Sequence, residues 1–147
     1  MGFGDVLGQA IHSSSAVPRL YVAARKAGLG TSEAFEALRI SRDAMTSAAQ
    51  HGRGVPGRAN AMRHFMWQAV LTARFGLDAA RTIAAAQEAG TPSRRDSRVD
   101  AHNNKVGQAY GAEHAGDLRP LTPGEAMASL VPVALAKWES DELVWVR

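Results

Sequence analysis

The sequence predicts an all-α fold, a compact helical bundle of about six helices around a buried central helix at about 59–75. Three observations predict it. Apolar residues make up 46% of the 147 residues but aromatics only 6%, and alanine is abundant, which suits helices packed closely through small side chains. The run FMWQAVLTA at 65–73 is apolar on nearly every side, as a helix enclosed on all faces must be. Helix start and stop signals recur along the chain at helical lengths.

Taken in order, residues 3–11 are expected to form a short helix. Ser13–Ser15 before Pro18 mark the start of a second helix, from about Val17 to Ala27, which Gly28 and Gly30 end. Thr31 or Ser32 caps the next, with Glu33 and Glu36 in its first turn, where the helix dipole favours acids. Its expected apolar stripe is Phe35, Leu38, Met45 and Ala49, broken by Arg42. HGRGVPGR at 51–58 is the clearest break and reads as a loop rather than a domain boundary, because 50 residues are few for an independent core.

The central helix follows, ended by Gly76, and then a helix from about Asp78 to Ala89. GTPSRRDS at 90–97 reads as a polar loop, about Arg98 to Gly111 as a helix, and 112–121 as loop. Thr122, Pro123 and Glu125 form a start signal with cap, first-turn proline and capping-box acid. That helix runs to about Trp138 with a kink expected at Pro132. Leu143–Val146 is expected as a strand or a tethered extension. The whole chain, 1–147, reads as one domain with its motif-bearing core at about 58–138.

Charge and composition bound the function. The formal net charge is +3, and the 17 bases are 14 Arg and 3 Lys. Residues 53–98 hold 8 Arg against 3 acids, while 112–147 hold 6 acids against 3 bases. A basic middle attracts phosphate, of lipid headgroups or nucleic acid; the plainer reading is a solvated helix face. With no cysteine, disulfides, thiolate chemistry and cysteine zinc sites are excluded. The first fifteen residues lack the basic and apolar regions of a signal peptide, and no apolar run reaches the roughly 18 residues of a membrane span. Export would then use a route without a cleaved signal, or this is the C-terminal part of a longer exported chain; otherwise the location is cytoplasmic.

Two clusters carry the candidate chemistry. Asp100, Asn103, Asn104 and Gly107 share one helical face. Asn103 falls within the apolar stripe of Val99, Val106 and Tyr110, so its buried amide must find partners. Asn60 with His64, and Arg63 with Trp67, are i,i+4 pairs in the first turns of the most buried helix. His64 is suited to moving protons near neutral pH, Arg63 to gripping a phosphate or carboxylate, and Asp100 to orienting the imidazole. Asn60, Asn103 and Asn104 are candidates to position substrate. Glu88 is a candidate base or cation ligand, with a solvated helix-end acid as the simpler explanation. A metal site would draw on His64, Glu88, Asp100 and His102, but no metalloprotease, EF-hand or zinc-ligand spacing is present, so no metal is expected and no cofactor is specified. His12, His51 and His114 fall in or near loops without companions at ligand spacing.

The strings NAMRHFMW at 60–67, QE at 87–88 and DAHNNKVG at 100–107 resemble a bacterial helical domain pattern, roughly D-A-F-R-H-x-x-W, then H-E, then D-x-x-N-N-x-x-G. That pattern occurs at the C-termini of polymorphic toxins and secreted effectors, often actinobacterial, and the resemblance covers residues 58–111. This sequence departs from it at Asn60, where an acid is expected, and at Gln87, where a histidine is expected. Either a changed rate or mechanism, or inactivity, follows if that histidine matters.

The resemblance implies a toxin-like enzyme domain with a cognate immunity protein. Similar helical domains are grouped with enzymes of lipid headgroups and lipid-linked phosphates, the Lipocone superfamily. The leading expectation is therefore a hydrolase or transferase acting on a phosphate-bearing lipid or lipid-linked cell-wall precursor. The alternatives are a nuclease toxin, disfavoured by the acidic C-terminal segment and the lack of aromatic–basic interleaving, and a non-catalytic binding or adaptor domain in which His64, Asn103 and Asn104 form a structural network.

Overall fold

A computed structural model describes residues 17–89 and 93–145. Its elements are α1 (17–26), α2 (Thr31–His51), α3 (Arg58–Phe75), α4 (Leu77–Glu88), α5 (Arg94–Glu113), α6 (Ala115–Leu118) and α7 (Pro123–Glu139), with no strand among the described residues. The fold is all-α, as the sequence predicts. The expected helix at 3–11, the serines at 13–15 and His12 lie outside the described residues.

The central helix is α3, which packs against α2, α4, α5, α6 and α7. Twelve of its 18 residues are buried, among them Phe65, Met66, Val70 and Leu71. Each such side chain contributes roughly 1.5–3 kcal/mol by leaving water. Its C-terminal end is held by arginines. Arg119 Nε donates to the Ala73 carbonyl at 3.0 Å, and Arg74 Nε donates to Glu36 Oε1 at 2.8 Å.

The most extensive helix pairing is α3 with α5. Glycine makes it possible. A Cβ on Gly107 would overlap the Phe65 carbonyl oxygen, and one on Gly111 the Ala69 carbonyl oxygen. These two glycines, one turn apart, let the two backbones meet directly.

Several boundaries differ from the sequence reading. α5 begins at Arg94, four residues early, because Ser93 Oγ accepts the Asp96 N–H and caps it, and it continues to Glu113. Part of the expected loop at 112–121 is the single turn α6. The buried face of α2 is Ala34, Ala37, Ile40, Ala44 and Ala48, whereas Phe35 is 58% exposed. Alanines and Ile40 face the core there, where α2 packs against α3. The Thr122–Glu125 capping box forms as expected, and α7 continues through Pro132. The tail at 141–145 is not a strand; it is a tethered extension with Leu143 buried. No helix among the described residues is long and apolar enough to cross a membrane.

Candidate functional site

α3 and α5 face each other through polar side chains spaced four residues apart on both helices. Asn60 Nδ2 donates to Asp100 Oδ1 at 2.9 Å. One turn in, His64 Nδ1 lies 2.8 Å from Asn104 Oδ1. A further turn in, Gln108 Nε2 donates to Gln68 Oε1 at 2.7 Å. Every rung joins residues 40 apart, so the two helices run parallel and in register, and α4 is the return between them. The outer rung is half-buried, and the two inner rungs are buried.

Arg63 joins the outer rung to the imidazole. Its Nη2 donates to Asn60 Oδ1 at 3.2 Å and also lies 3.2 Å from His64 Nε2. A guanidinium only donates, so Nε2 is the acceptor in that contact. The ring hydrogen then sits on Nδ1 and is given to Asn104 Oδ1. This assignment follows from the partners alone. His64 is 1% exposed. Burial first, and the Arg63 charge second, push its pKa down to about 3, against the Asn104 hydrogen bond. His64 is therefore neutral at ordinary pH.

Asp100 Oδ1 lies 3.4 Å from the same Nε2. A carboxylate and an imidazole nitrogen whose one lone pair already accepts from Arg63 are both acceptors, so the two are neighbours without a hydrogen bond between them. Burial raises the Asp100 pKa, the Asn60 hydrogen bond and then the Arg63 charge hold it down, and Asp96 raises it. Burial likewise disfavours the Arg63 charge, which Asp100 supports.

A second carboxyl belongs to the same end of the helices. Glu88 closes α4, and Ser97 Oγ donates to its Oε2. Its Oε1 is buried without a protein partner. Burial raises the Glu88 pKa, the Ser97 hydrogen bond lowers it, and the Asp100 charge raises it again. Asn60, Arg63, His64, Asp100 and Asn104 thus meet at the half-buried outer end, the mouth, of the ladder between α3 and α5, and Glu88 at the end of α4 lies near enough to feel the Asp100 charge.

Three expectations are corrected. Asp100 does not orient the imidazole: Asn104 holds Nδ1, and Asp100 faces Nε2. His64 does not titrate near neutral pH, because burial and Arg63 oppose its charge. Asn103 does not reach the mouth. Its Nδ2 donates to the Val144 carbonyl at 3.0 Å and its Oδ1 accepts the Val144 N–H at 2.9 Å, so the whole amide is occupied in fastening the tail.

The remaining histidines stand apart. His102 is exposed, with Nε2 2.8 Å from the Glu142 carbonyl, away from Asp100. His51 ends α2, and His114 stacks on Tyr110 with centroids 4.0 Å apart. Among the described residues no group of three His, Asp or Glu is arranged to hold a metal ion. Sequence reasoning missed Gln68, Gln108 and Ser97. The signal for the first two was the continued four-residue spacing from Asn60 and His64, and from Asp100 and Asn104.

Residues 29–131, more than two thirds of the chain, match the model of a family described as "Domain of unknown function (DUF6973)". No curated protein and no solved structure matches the chain.

Proposed function

The chain belongs to this DUF6973 family, and we propose from its site that it is a hydrolase or transferase working by acid–base chemistry on a phosphate-bearing lipid or lipid-linked precursor, and from its sequence resemblance that it is a secreted bacterial toxin or effector domain with a cognate immunity protein. The observation that carries the chemistry is the meeting of Asp100 and Arg63 at His64 Nε2, at the half-buried end of the ladder. Two carboxyls whose proton affinity burial raises, Asp100 and Glu88, are the acid and the base of this proposal. In the proposed reaction the oxygen of water or of an acceptor hydroxyl bonds to phosphorus as the phosphorus–oxygen bond to the leaving group breaks; Glu88 takes the nucleophile's proton, and Asp100 gives its proton to the leaving oxygen. Arg63 neutralises the phosphate oxygens. His64 Nε2 accepts from Arg63 and holds the guanidinium, Asn60 holds the Asp100 carboxyl, and Asn104 fixes the imidazole tautomer.

The nuclease alternative is less well supported. Arg53 and Arg58 direct their guanidinium groups to backbone carbonyls, Arg74 binds Glu36, and Arg63 is in the ladder. Half of the basic middle is thus committed within the molecule.

A non-catalytic reading is favoured by one observation: the inner rungs, His64–Asn104 and Gln68–Gln108, are sealed and join helices as a structural network would. Turnover separates the two. Release of headgroup or phosphate from phosphatidylglycerol and from a polyprenyl-pyrophosphate substrate, followed by phosphorus NMR, is expected for the wild type. Arg63→Lys, which loses the planar fork, should raise KM with a smaller change in kcat. A folded Arg63→Lys protein with unchanged KM would remove Arg63 from the substrate site.

A further inference from the structure

Five large apolar side chains are exposed among the described residues, and three of them share one region. Val17 (47% exposed) and Val22 (49%) lie on α1, and Phe35 (58%) lies on the adjoining first turns of α2. Tyr21 packs against Phe35 with ring centroids 5.4 Å apart, and Arg25 Nη1 donates to Thr31 Oγ1 at 3.1 Å, so the Val17–Tyr21–Arg25 side of α1 adjoins Phe35, while Val22 and Lys26 flank it towards Thr82 and Ala86 of α4. Basic side chains outnumber acids around it. α1 carries Arg19, Arg25 and Lys26 and no acid. Arg39, one turn beyond Phe35, is exposed. Of the nearby acids, Glu33 accepts the Gly30 N–H and Glu36 is paired with Arg74 at 2.5 Å. α1 lies outside the family-matched residues, 29–131, whereas Phe35 and Arg39 lie within them.

We infer that the α1–α2 face docks on the surface of an anionic lipid bilayer. Phe35, Val17 and Val22 enter the boundary between headgroups and acyl chains, while Arg25, Lys26 and Arg39 rest on lipid phosphates. Charge selects this occupant. A second copy of the chain would bring like charges together, and a nucleic acid would supply phosphate without an apolar layer to bury the valines. The inference stands on α1 and α2 alone and does not depend on the acid–base site.

The test is sedimentation of the full chain with vesicles of phosphatidylcholine alone, and with vesicles one third phosphatidylglycerol, at low and high salt. Binding is expected only to the anionic vesicles and should fall as salt rises. Each basic side chain at such a surface strengthens binding several-fold, so Arg25→Ala with Lys26→Ala should weaken it about 30-fold. Phe35→Ser should weaken it further, and Asp100→Asn should bind as the wild type does. The charge variants change only exposed side chains, and matching circular-dichroism melts establish that they fold. Equal binding to both vesicles, binding to neither, undiminished binding by Arg25→Ala/Lys26→Ala, or self-association through this face would each overturn the inference. Turnover on detergent-dispersed lipid reads the mouth separately from docking.

Discussion

Acid should destabilise the chain through His64. The unfolded imidazole takes up a proton near pH 6.5, while the folded one resists until about 3. Its folded pKa is depressed, so between those values the unfolded state binds more protons and stability falls as pH falls. Each unit below 6.5 removes about 1.4 kcal/mol, so this group costs about 2 kcal/mol at pH 5 and about 5 kcal/mol near pH 3. Asp100 and Glu88 act in the opposite sense. Their folded pKa values are raised, so their contribution is present in acid and is lost as pH rises through those values. Subtraction isolates the imidazole: urea unfolding of wild type and His64→Gln from pH 4.5 to 7.5 should give a difference that grows by about 1.4 kcal/mol per unit below 6.5. Nitrogen-15 NMR of the His64 ring should show the Nδ1–H neutral form throughout. Parallel stability curves, or an imidazole titrating near 6.5, would refute the assigned contacts around Nε2.

Three further outcomes follow. Asp100→Asn should lower turnover at least 100-fold while the melting temperature shifts little, since the amide keeps the shape but carries no transferable proton; calorimetry beside the phosphorus NMR assay checks both. Gly107→Ala should destabilise by about 1–3 kcal/mol or more, because its methyl meets the Phe65 backbone rather than a yielding side chain, and denaturant melts read this directly. Asn103→Ala removes two hydrogen bonds to Val144 and should cost about 1–3 kcal/mol, with earlier protease cleavage at 141–145 and no change in KM.

How much was legible in the sequence depended on distance along the chain. The enclosure of α3 was readable because FMWQAVLTA leaves no polar face to expose. The outer ladder residues were readable because Asn60–His64 and Asp100–Asn104 are local i,i+4 pairs. Their partnership was an inference from polarity, since nothing local joins residues 40 apart. Gln68 escaped notice inside an apolar run, although it continues the same spacing. Asn103 was recognised as buried, but its partner is the backbone of Val144, which carries no side-chain signal. The α2 stripe was misphased because Phe35, Leu38 and Met45 outweigh alanine on any hydrophobic scale, whereas tight helix packing prefers the small residue. The start of α5 was hidden because Arg94, Arg95 and Asp96 look like loop until Ser93 is seen to cap them.

The proposed chemistry rests on Asp100, not His64, acting as the acid. The pH dependence of kcat for wild type and Asp100→Asn, on phosphatidylglycerol and on a polyprenyl pyrophosphate, tests this most directly. A wild-type profile that falls as pH rises through a pKa above the ordinary carboxyl range, and is absent in Asp100→Asn, is the predicted result. Wild-type turnover by folded Asp100→Asn, or no turnover of either substrate by the wild type, would contradict it.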